Sequence, residues 1–397
     1  MNVLLIAPYF APSSEVPSVR MVSLSRHLVS MGHKVTVLCY SREMLLTMYK
    51  EAELSSTVPK GVKVIGFSCK SKRLPFISDI LDGIQFKRDL PKLLKGESFD
   101  IALTTCGPYF TLKAMPMLKS KLKIPYVLDF RDLGALNYRP RLGNEEKPVF
   151  WKEIIKNIYK GIILRREKNA VLEAEHIICI SEIDREKMQS AYGLKDEKLA
   201  VATNGYDEVK LNGMLPAEKT QGIKGAVFGK FMYYSRERAS ALLLAMDSLR
   251  KDGINISLIH IGITYPCILD CIKENDLDSG VYDPKGLKEY SEGMKLLGSA
   301  DFFVVEDTSP DDVGTKIYDY IFWNKPIVAV TPEDIPLAKL IKSFKNGYVC
   351  QTKAEVESAI KDIIDRGLTV LDPNINTDKY ARKYQNEKIE KILLKSR

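Results

Sequence analysis

The chain has 397 residues, of which 45% are hydrophobic and 28% are charged, which are the proportions of an ordinary soluble globular protein. This length exceeds what one hydrophobic core usually supports, so we expect two domains. The net charge of +8 is compatible with nucleotide phosphates, an anionic membrane surface or nucleic acid as the partner, and it does not distinguish among them. No apolar run reaches the length of a transmembrane helix, and the N-terminus lacks the basic start of a signal peptide. We therefore predict a cytoplasmic protein whose membrane contact, where it has one, is peripheral.

The seven cysteines are scattered along the chain without a framework spacing. An odd number without such a pattern favours free thiols in a reducing compartment. Cys267 and Cys271 are the only close pair, and no histidine stands beside them. We therefore expect no zinc site there.

Strand-like apolar runs alternate with helical patterns throughout, which is typical of α/β proteins built on parallel sheets. In the first half, a helix is predicted over 18–31, ended by Gly32, and strands are predicted at 3–7, 35–39, 62–67, 99–104, 126–130, 176–180 and 199–202. In the second half, strands are predicted at 226–229, 256–261, 281–282, 302–305 and 327–330, and helices at 238–251, 266–275, 286–298, 315–323 and 353–365.

A polar stretch with glycine and proline, 212–222, separates the two halves and marks the domain boundary. The fold prediction is therefore α/β, with two doubly wound Rossmann-like domains that face a cleft. They span 1–211 and 212–375, and a charged C-terminal helix, 376–397, packs back on the first domain. In such sheets, ligands bind beyond the carboxyl ends of the strands, so the loops that follow strands are where function is expected.

The segment from Asp311 to Asp319 follows the apolar strand 302–305, passes through Gly314 and Thr315, and opens a short helix. A strand, a glycine-containing loop and a helix start aim main-chain N–H groups and the positive end of a helix dipole at an anion. One carboxylate stands at each end of the segment, and Lys316 lies between them. The segment predicts an anion site, although acidic residues also favour the first turn of an ordinary helix.

Several short motifs follow one another at the ends of predicted strands. They are Pro8-Tyr9-Phe10-Ala11-Pro12, the run from Arg26 through Gly32-His33-Lys34-Val35-Thr36-Val37, Pro125 to Leu133, Ile180-Ser181-Glu182, Thr203-Asn204-Gly205-Tyr206-Asp207 and Thr315-Lys316-Ile317-Tyr318-Asp319-Tyr320. In this order and at these spacings, the chain resembles the retaining glycosyltransferases of family 4, which have the GT-B fold. The likeness is strongest to members that build bacterial surface polysaccharides, and it covers nearly the whole chain.

The resemblance implies a donor site at the segment 311–319. Relatives carry two glutamates at the positions of Asp311 and Asp319, of which the first contacts donor-sugar hydroxyls and the second the ribose. The main chain between them, at Gly314 and Thr315, meets the phosphates, next to Lys316. Aspartate keeps the acceptor chemistry of glutamate, but its reach is one methylene shorter, which indicates a shifted backbone, another donor or a degraded site.

The resemblance also assigns basic residues to the nucleotide diphosphate. Lys230 follows a strand-ending glycine, and either Arg236 or Arg238 fills the second basic position. Fixed cations there stabilise the charge that develops on the leaving group. A solvated basic loop is the alternative. Tyr282 falls where relatives hold the nucleobase, largely by main chain, although an ordinary strand end explains it nearly as well.

In the first half, Arg131 and Asp132 follow the strand 126–130 together with Asp129, and are expected to face the cleft. Relatives carry a histidine or, in a subgroup, an arginine near Arg131 that touches the donor sugar. The alternative is a buried Asp–Arg pair that fixes the loop. Ser14 lies in a loop that is glycine-rich in many relatives, and its hydroxyl would take over the contact to phosphates or acceptor.

The segment 150–168 has an isoleucine stripe at Ile154, Ile158 and Ile162, with lysines and arginines clustered away from it. We favour a helix whose stripe packs on the core while its basic face is solvated. The alternative is a helix that rests on an anionic membrane and meets a lipid-linked acceptor. The segment 70–77 is a second, weaker membrane candidate.

The resulting prediction is a metal-independent, retaining enzyme of bacterial polysaccharide or glycoconjugate biosynthesis. It transfers a sugar from a nucleoside diphosphate-sugar to a hydroxyl of a glycan or lipid-linked saccharide, with no cofactor and no nucleic-acid partner. Its place is the cytoplasm, with peripheral contact at the cytoplasmic face of the inner membrane as a further option. A non-catalytic sugar-nucleotide-binding partner protein and a GT-B-fold sugar-nucleotide epimerase are the alternatives.

Overall fold

The computed structural model describes residues 1–13, 16–51, 54–69, 75–137, 150–310 and 313–397. The chain forms two compact units. Unit 1 contains residues 1–203 together with 382–397, and unit 2 contains residues 204–381. Tyr206 explains why the division lies before the predicted boundary at 211, because its ring is buried in the core of unit 2 and its N–H donates to the carbonyl of Tyr380.

Unit 1 is a parallel sheet of seven strands flanked by helices. Its elements up to residue 203 are β1 (Asn2–Ile6), α1 (Val16–Ser30), β2 (Lys34–Tyr40), α2 (Arg42–Leu46), β3 (Val62–Phe67), α3 (Pro75–Leu93), β4 (Ile101–Cys106), α4 (Met115–Leu122), β5 (Tyr126–Phe130), α5 (Phe150–Glu173), β6 (His176–Cys179), α6 (Glu182–Tyr192) and β7 (Leu199–Val201). The strand order is β3-β2-β1-β4-β5-β6-β7. The central strands are buried on both faces, which is why they read as continuous apolar runs in the sequence.

Unit 2 repeats this architecture with six parallel strands. Its elements are α7 (Glu208–Leu211), β8 (Ile223–Phe228), α8 (Arg236–Lys251), β9 (Ile256–Ile261), α9 (Pro266–Glu274), β10 (Tyr282–Pro284), α10 (Tyr290–Ser299), β11 (Phe302–Glu306), α11 (Lys316–Trp323), β12 (Ile327–Val330), α12 (Pro336–Lys342), β13 (Gly347–Cys350) and α13 (Lys353–Asp365). The strand order is β10-β9-β8-β11-β12-β13. The predicted fold class, two doubly wound α/β domains, is confirmed.

The last helix, α14 (Arg382–Ser396), belongs to unit 1. Its buried Ile389 and Leu393 join the apolar cluster between α1 and the sheet. One carboxylate, Glu390, fastens it to α1 and to the turn after α1, because its two oxygens lie 2.8 Å from Nε2 of His27 and 2.9 Å from Nε2 of His33. Tyr384, near the start of the same helix, is exposed instead.

Candidate functional site

The strand order of unit 2 reverses between β8 and β11, and ligands of doubly wound sheets bind beyond the carboxyl ends of the strands at such a point. The loop after β8 begins with Gly229, whose φ of +106° favours glycine. The loop after β11 is shaped by Asp307, whose carboxylate accepts from the N–H groups of Thr308 and Ser309 at 2.7 and 2.9 Å. In each loop, therefore, a local sequence feature sets the backbone conformation directly after the strand.

The start of α11 lies beside the Gly229 loop. Lys316 extends its ammonium to 3.9 Å from the ring centre of Phe228, the last residue of β8. The same ammonium lies 3.9 Å from a carboxylate oxygen of Asp319, one turn further along α11. The predicted neighbours Gly314 and Thr315 directly precede the helix, with Thr315 as its N-cap. A cation and the positive end of a helix thus share one corner, which suits an anionic ligand.

Asp319 is buried and oriented. Its second carboxylate oxygen accepts a hydrogen bond of 2.7 Å from the hydroxyl of Tyr290, on α10. The Tyr290 ring stacks against Phe228, with ring centres 6.2 Å apart, so the same aromatic pair supports both the cation and the carboxylate. Asp319 can accept further hydrogen bonds from ligand hydroxyls.

Two buried side chains lock this corner to the sheet. Tyr320 on α11 accepts the main-chain N–H of Phe228 at 2.8 Å, which ties the helix to the end of β8. His260 on β9 donates from Nε2 to the carbonyl of Gly229 at 2.9 Å and accepts at Nδ1 from the Tyr282 hydroxyl at 2.6 Å. Burial lowers the pKa of His260, against the effect of its bond to Gly229. A neutral imidazole therefore holds the glycine loop in place.

The loop after Gly229 is organised by an acid that the sequence analysis missed. Glu306, the last residue of β11, accepts the N–H groups of Met232 at 2.6 Å and Ser235 at 2.5 Å. Burial raises the pKa of Glu306, whereas these N–H groups act to lower it. Only its place at a strand end, next to the predicted site, could have drawn attention to it.

Lys230 lies on this loop and points to aromatic rings. Its ammonium is 4.0 Å from the ring centre of Tyr233 and 5.6 Å from that of Tyr234. Both tyrosines are exposed. Lys316 lies next to Gly229, which directly precedes Lys230, so the structure brings the two lysines to the same glycine.

The remaining predicted residues of unit 2 occupy other positions. Arg236 begins α8 and pairs with Glu274 of α9 at 2.7 Å, while Arg238 follows in the same turn and is partly exposed. Tyr282 is buried, and its hydroxyl is engaged by His260, so only its main chain is available for the predicted contact. Asp311 and Ser14 lie outside the described residues.

In unit 1, Asp129 is paired with a partner that the sequence analysis did not expect. Asp129 is fully buried, and the guanidinium of Arg20, on α1, donates to its two oxygens at 3.0 and 2.8 Å. Arg20 also donates to the carbonyls of Ala202 at 2.9 Å and Thr203 at 2.8 Å. The prediction that Asp129 faces a cleft is therefore wrong. Asp129 forms a buried ion pair, as in the alternative interpretation, and Arg20 is its cation.

Arg131 and Asp132 follow at the end of β5. Arg131 donates to the Thr105 hydroxyl at 3.1 Å and to the Gly107 carbonyl at 2.6 Å, so it ties the loops after β4 and β5 together. Gly107 has a φ of +111°, which strains any other residue, and a Cβ there would lie 2.9 Å from the Arg131 guanidinium and displace it. Asp132 is exposed, and its carbonyl accepts from the Tyr109 hydroxyl at 2.8 Å.

A cavity of about 180 Å³ opens behind this loop, lined in part by Tyr109, Gly134, Ala135 and Glu167. Glu167, on α5, is buried, and its carboxylate accepts from the Tyr192 hydroxyl at 2.6 Å. Burial raises the pKa of Glu167, although the Tyr192 hydroxyl acts to lower it. The sequence does not indicate that Glu167 is buried, because its helix has an amphipathic pattern in which charged residues are expected on the exposed face.

The favoured interpretation of the isoleucine stripe in 150–168 is wrong. Ile158 and Ile162 face solvent, with 59% and 42% of their surface exposed, whereas Ile163, Ala170 and Val171 face the core. The predicted stripe is therefore displaced from the buried face of α5. Ile154 lies outside the described side chains.

Residues 18–210 match a family model described as Glycosyltransferase Family 4. Solved structures with the same fold include sucrose-phosphate synthase from Thermosynechococcus elongatus, at 13% identity and a TM-score of 0.65 over 100% of this chain and 97% of that one. Anabaena Alr3699/HepE in complex with UDP aligns at 14% identity and a TM-score of 0.63 over 100% of both chains. UDP-GlcNAc 2-epimerase from Methanocaldococcus jannaschii aligns at 13% identity and a TM-score of 0.55, also over 100% of both chains.

None of the curated proteins matches this sequence. Within the described ranges, no helix is long and apolar enough to cross a bilayer, and no cluster of three or more His, Cys, Asp or Glu side chains has the arrangement of a metal site. The fold is GT-B, and together with the family match it supports a GT-B-type glycosyltransferase.

Proposed function

We propose that the chain transfers a sugar from a nucleoside diphosphate-sugar to a hydroxyl acceptor, with retention at the anomeric carbon and without a metal ion. The observation that carries the proposal is the corner at Gly229, where Lys316, the start of α11 and the oriented carboxylate of Asp319 lie together. The family match over 18–210 points to the same chemistry. So does the likeness in fold to Alr3699/HepE, which has been solved with UDP and with UDP-glucose.

In this proposal, unit 2 holds the donor. Asp319 accepts hydrogen bonds from the ribose hydroxyls, and the Tyr290 hydroxyl keeps its carboxylate in the required orientation. Lys316 and the main chain of Gly314 and Thr315 hold the diphosphate. The nucleobase lies near the main chain of Tyr282, at the edge of the sheet.

Lys230 is assigned to the leaving group. When the bond between the anomeric carbon and the phosphate oxygen breaks, negative charge grows on the diphosphate, and a fixed cation stabilises that charge more in the transition state than in the ground state. The acceptor oxygen then bonds to the anomeric carbon, and its proton leaves toward the departing phosphate. Lysine and arginine side chains here perform the neutralisation that a divalent ion performs elsewhere. Arg236 or Arg238 is the further basic contact.

Unit 1 is proposed to present the acceptor, a glycan or lipid-linked saccharide. Arg131 and Asp132 lie at the carboxyl end of β5, where doubly wound sheets bind ligands, and we assign them to the reacting sugar and hydroxyl. Asp311, for the donor-sugar hydroxyls, and Ser14 complete the proposed set. We place the reaction in the cytoplasm, in bacterial polysaccharide or glycoconjugate assembly, with no nucleic-acid partner.

Two substitutions in unit 2 test the donor site. Asp319→Ala and Lys316→Met should each weaken UDP binding about 10- to 100-fold, because each removes a charged hydrogen-bonding group worth about 1.5–3 kcal/mol. Isothermal titration calorimetry measures the affinity, and release of nucleoside diphosphate measures transfer. Lys339→Met, on the exposed side of α12, is the matched control. Unchanged affinity and transfer in both variants would place the donor elsewhere.

A sugar-nucleotide epimerase is the second candidate, because an epimerase shares this fold over the full length of both chains. Stoichiometric release of free nucleoside diphosphate in the presence of an acceptor counts against it. A non-catalytic binding protein is the third, motivated by aspartate at both positions where relatives carry glutamate. Tight UDP binding without turnover on lipid or glycan acceptors would favour that reading.

A further inference from the structure

The outer face of α3 is apolar where a helix of a water-soluble protein is usually polar. Ile77, Leu81 and Ile84 follow at intervals of four and three residues, which places them on one stripe. All three are exposed, and 51% of the surface of Ile84 faces solvent. The opposite face of the helix, with Phe86 and Leu90, packs in the core of unit 1. The helix therefore has two apolar faces, one that packs in the core and one that is exposed, and folding requires only the first.

Helix α5 shows the same feature. Ile158 and Ile162 project to solvent, although the helix already buries Ile163 and Val171. The two helices are joined by Arg166, which donates to Asp79 at 2.7 Å. Single exposed hydrophobic residues are common, but here Ile84 of one helix and Ile162 of the other line the same groove. Exposed apolar residues grouped in this way form a patch of the kind that marks an interaction surface.

A groove of about 430 Å³ runs between these helices, lined on its apolar side by Ile80, Ile84, Leu112, Pro116 and Ile162. Its charged lining is one-sided. Lys87, Lys113, Arg165 and Arg166 line it, and none of the described lining residues is acidic. Asp79 neutralises Arg166, whereas no ion pair joins Lys87, Lys113 or Arg165 to another described residue. These three cations border the apolar strip.

We propose that this face of α3 and α5, the basic-apolar face, docks unit 1 on an anionic phospholipid bilayer. The isoleucines would enter the boundary between headgroups and acyl chains, as the apolar side of an interfacial helix does. The flexible stems of Lys87, Lys113 and Arg165 reach outward to lipid phosphates. None of the residues of this face is assigned to the proposed transfer reaction, so the docking proposal does not depend on it.

The charge distribution favours a bilayer over a second copy of this chain. A symmetric dimer through the same patch would set Lys87, Lys113 and Arg165 against the same three cations of the second copy, which costs binding energy. An anionic bilayer meets the same cations with opposite charge. An acidic protein surface would also satisfy the charges, and the experiment below separates it from a bilayer.

The test is flotation of the full chain with phosphatidylcholine vesicles that contain about one third phosphatidylglycerol, compared with phosphatidylcholine alone. The chain should float with the anionic vesicles only, and less so as salt is raised. Lys87→Gln/Lys113→Gln/Arg165→Gln should lower the partition coefficient about 100-fold, since each cation near an anionic surface is worth about a factor of five. Ile84→Gln/Ile162→Gln should lower it about tenfold or more.

Matched controls lie in unit 2. Ile263→Gln/Leu269→Gln removes equally exposed apolar side chains, since Ile263 is 51% exposed and Leu269 is 55% exposed, and Lys339→Gln/Lys345→Gln/Lys361→Gln makes the same change in net charge. Both should float like the unaltered chain, and circular dichroism confirms that every variant is folded.

The proposal is overturned when the unaltered chain stays with the soluble fraction, or when the control variants lose as much binding as the variants of the face. Dissociation of a dimer by Ile84→Gln, or capture of an acidic protein without vesicle binding, would also overturn it.

Discussion

At the scale of single residues, Arg20 joins three separate parts of unit 1. Its guanidinium donates to both oxygens of Asp129 and to the carbonyls of Ala202 and Thr203. It thereby joins α1, the end of β5 and the point where the chain leaves the unit. The planar fork of arginine can make these contacts together, whereas the single ammonium of lysine cannot.

We expect Arg20→Leu to destabilise unit 1 by about 3–5 kcal/mol, because it leaves the buried charge of Asp129 without a partner. Arg20→Lys keeps the charge but loses the fork geometry, so its cost should be smaller and still measurable. Guanidinium-induced unfolding of the full chain gives both values. Equal stability of Arg20→Leu and the unaltered chain would contradict the assigned role.

At the scale of elements, the loop between β8 and α8 depends on a residue of another strand. Glu306 ends β11 and accepts main-chain N–H groups from both ends of the short segment 232–235. The loop therefore has a fixed shape before any ligand arrives. That shape sets where Lys230 and the tyrosines beside it lie.

Glu306→Gln should loosen this loop while the sheet persists, because an amide accepts through one oxygen only and is a weaker acceptor than a carboxylate. We expect a loss of about 1–3 kcal/mol. Amide hydrogen exchange should accelerate at Met232 and Ser235 but not along β9. Equal protection of the loop in both proteins would show that Glu306 does not hold it.

The strands of this fold were largely predictable, because buried parallel strands such as Ile101–Cys106 are unbroken apolar runs. Gly347–Cys350 was missed, since four residues led by glycine carry too little pattern. The displaced stripe on α5 has a different cause. Periodicity finds an apolar face, but it cannot tell which of two apolar faces meets the core.

The candidate site was predictable only in part. Lys316 and Asp319 were identified because they stand at the start of a helix after a strand. Glu306 and Arg20 were not, because their roles depend on main-chain groups that lie 71 and 183 residues away in sequence. Contacts of such separation are fixed by the tertiary fold, and no local pattern records them.

At the scale of the whole molecule, unit 1 is built from two separate stretches of chain. Helix α14 returns to it after unit 2 and is fastened by Glu390, Gln385 and Asn386. Gln385 accepts the N–H of Thr203 at 3.1 Å, so the helix also fixes the residue at which the chain leaves the unit.

The attachment of α14 should depend on pH through Glu390. Burial acts to raise the pKa of Glu390, but the hydrogen bonds and charges of His33 and His27 prevail and lower it below the ordinary 4.5. A carboxyl group whose pKa is lower in the folded state stabilises the fold at pH values above its unfolded-state pKa. That stability is lost as the pH falls through the folded-state pKa. The amino group of Met1, 3.3 Å from Nδ1 of His33, is the other titratable group of this cluster.

We therefore expect Glu390→Gln to destabilise the chain by about 1.5–3 kcal/mol at neutral pH, and the gap to the unaltered chain should close below pH 4.5. Urea unfolding at a series of pH values measures it. Glu387→Gln, on the same helix, should leave the curve unchanged. A gap that persists undiminished in acid would mean that the carboxylate charge has no part in the attachment.

The return of α14 also orders events during synthesis. A ribosome makes the seven strands of unit 1 first, yet α14 follows only after all of unit 2. Until then, Ile389 and Leu393 of α14 are missing from the apolar surface that they share with α1 and the sheet. Translation at about 5–20 residues per second leaves that apolar surface uncovered for roughly ten seconds or more. A nascent chain of this protein therefore offers chaperones a binding surface on its first domain while its second domain is still emerging.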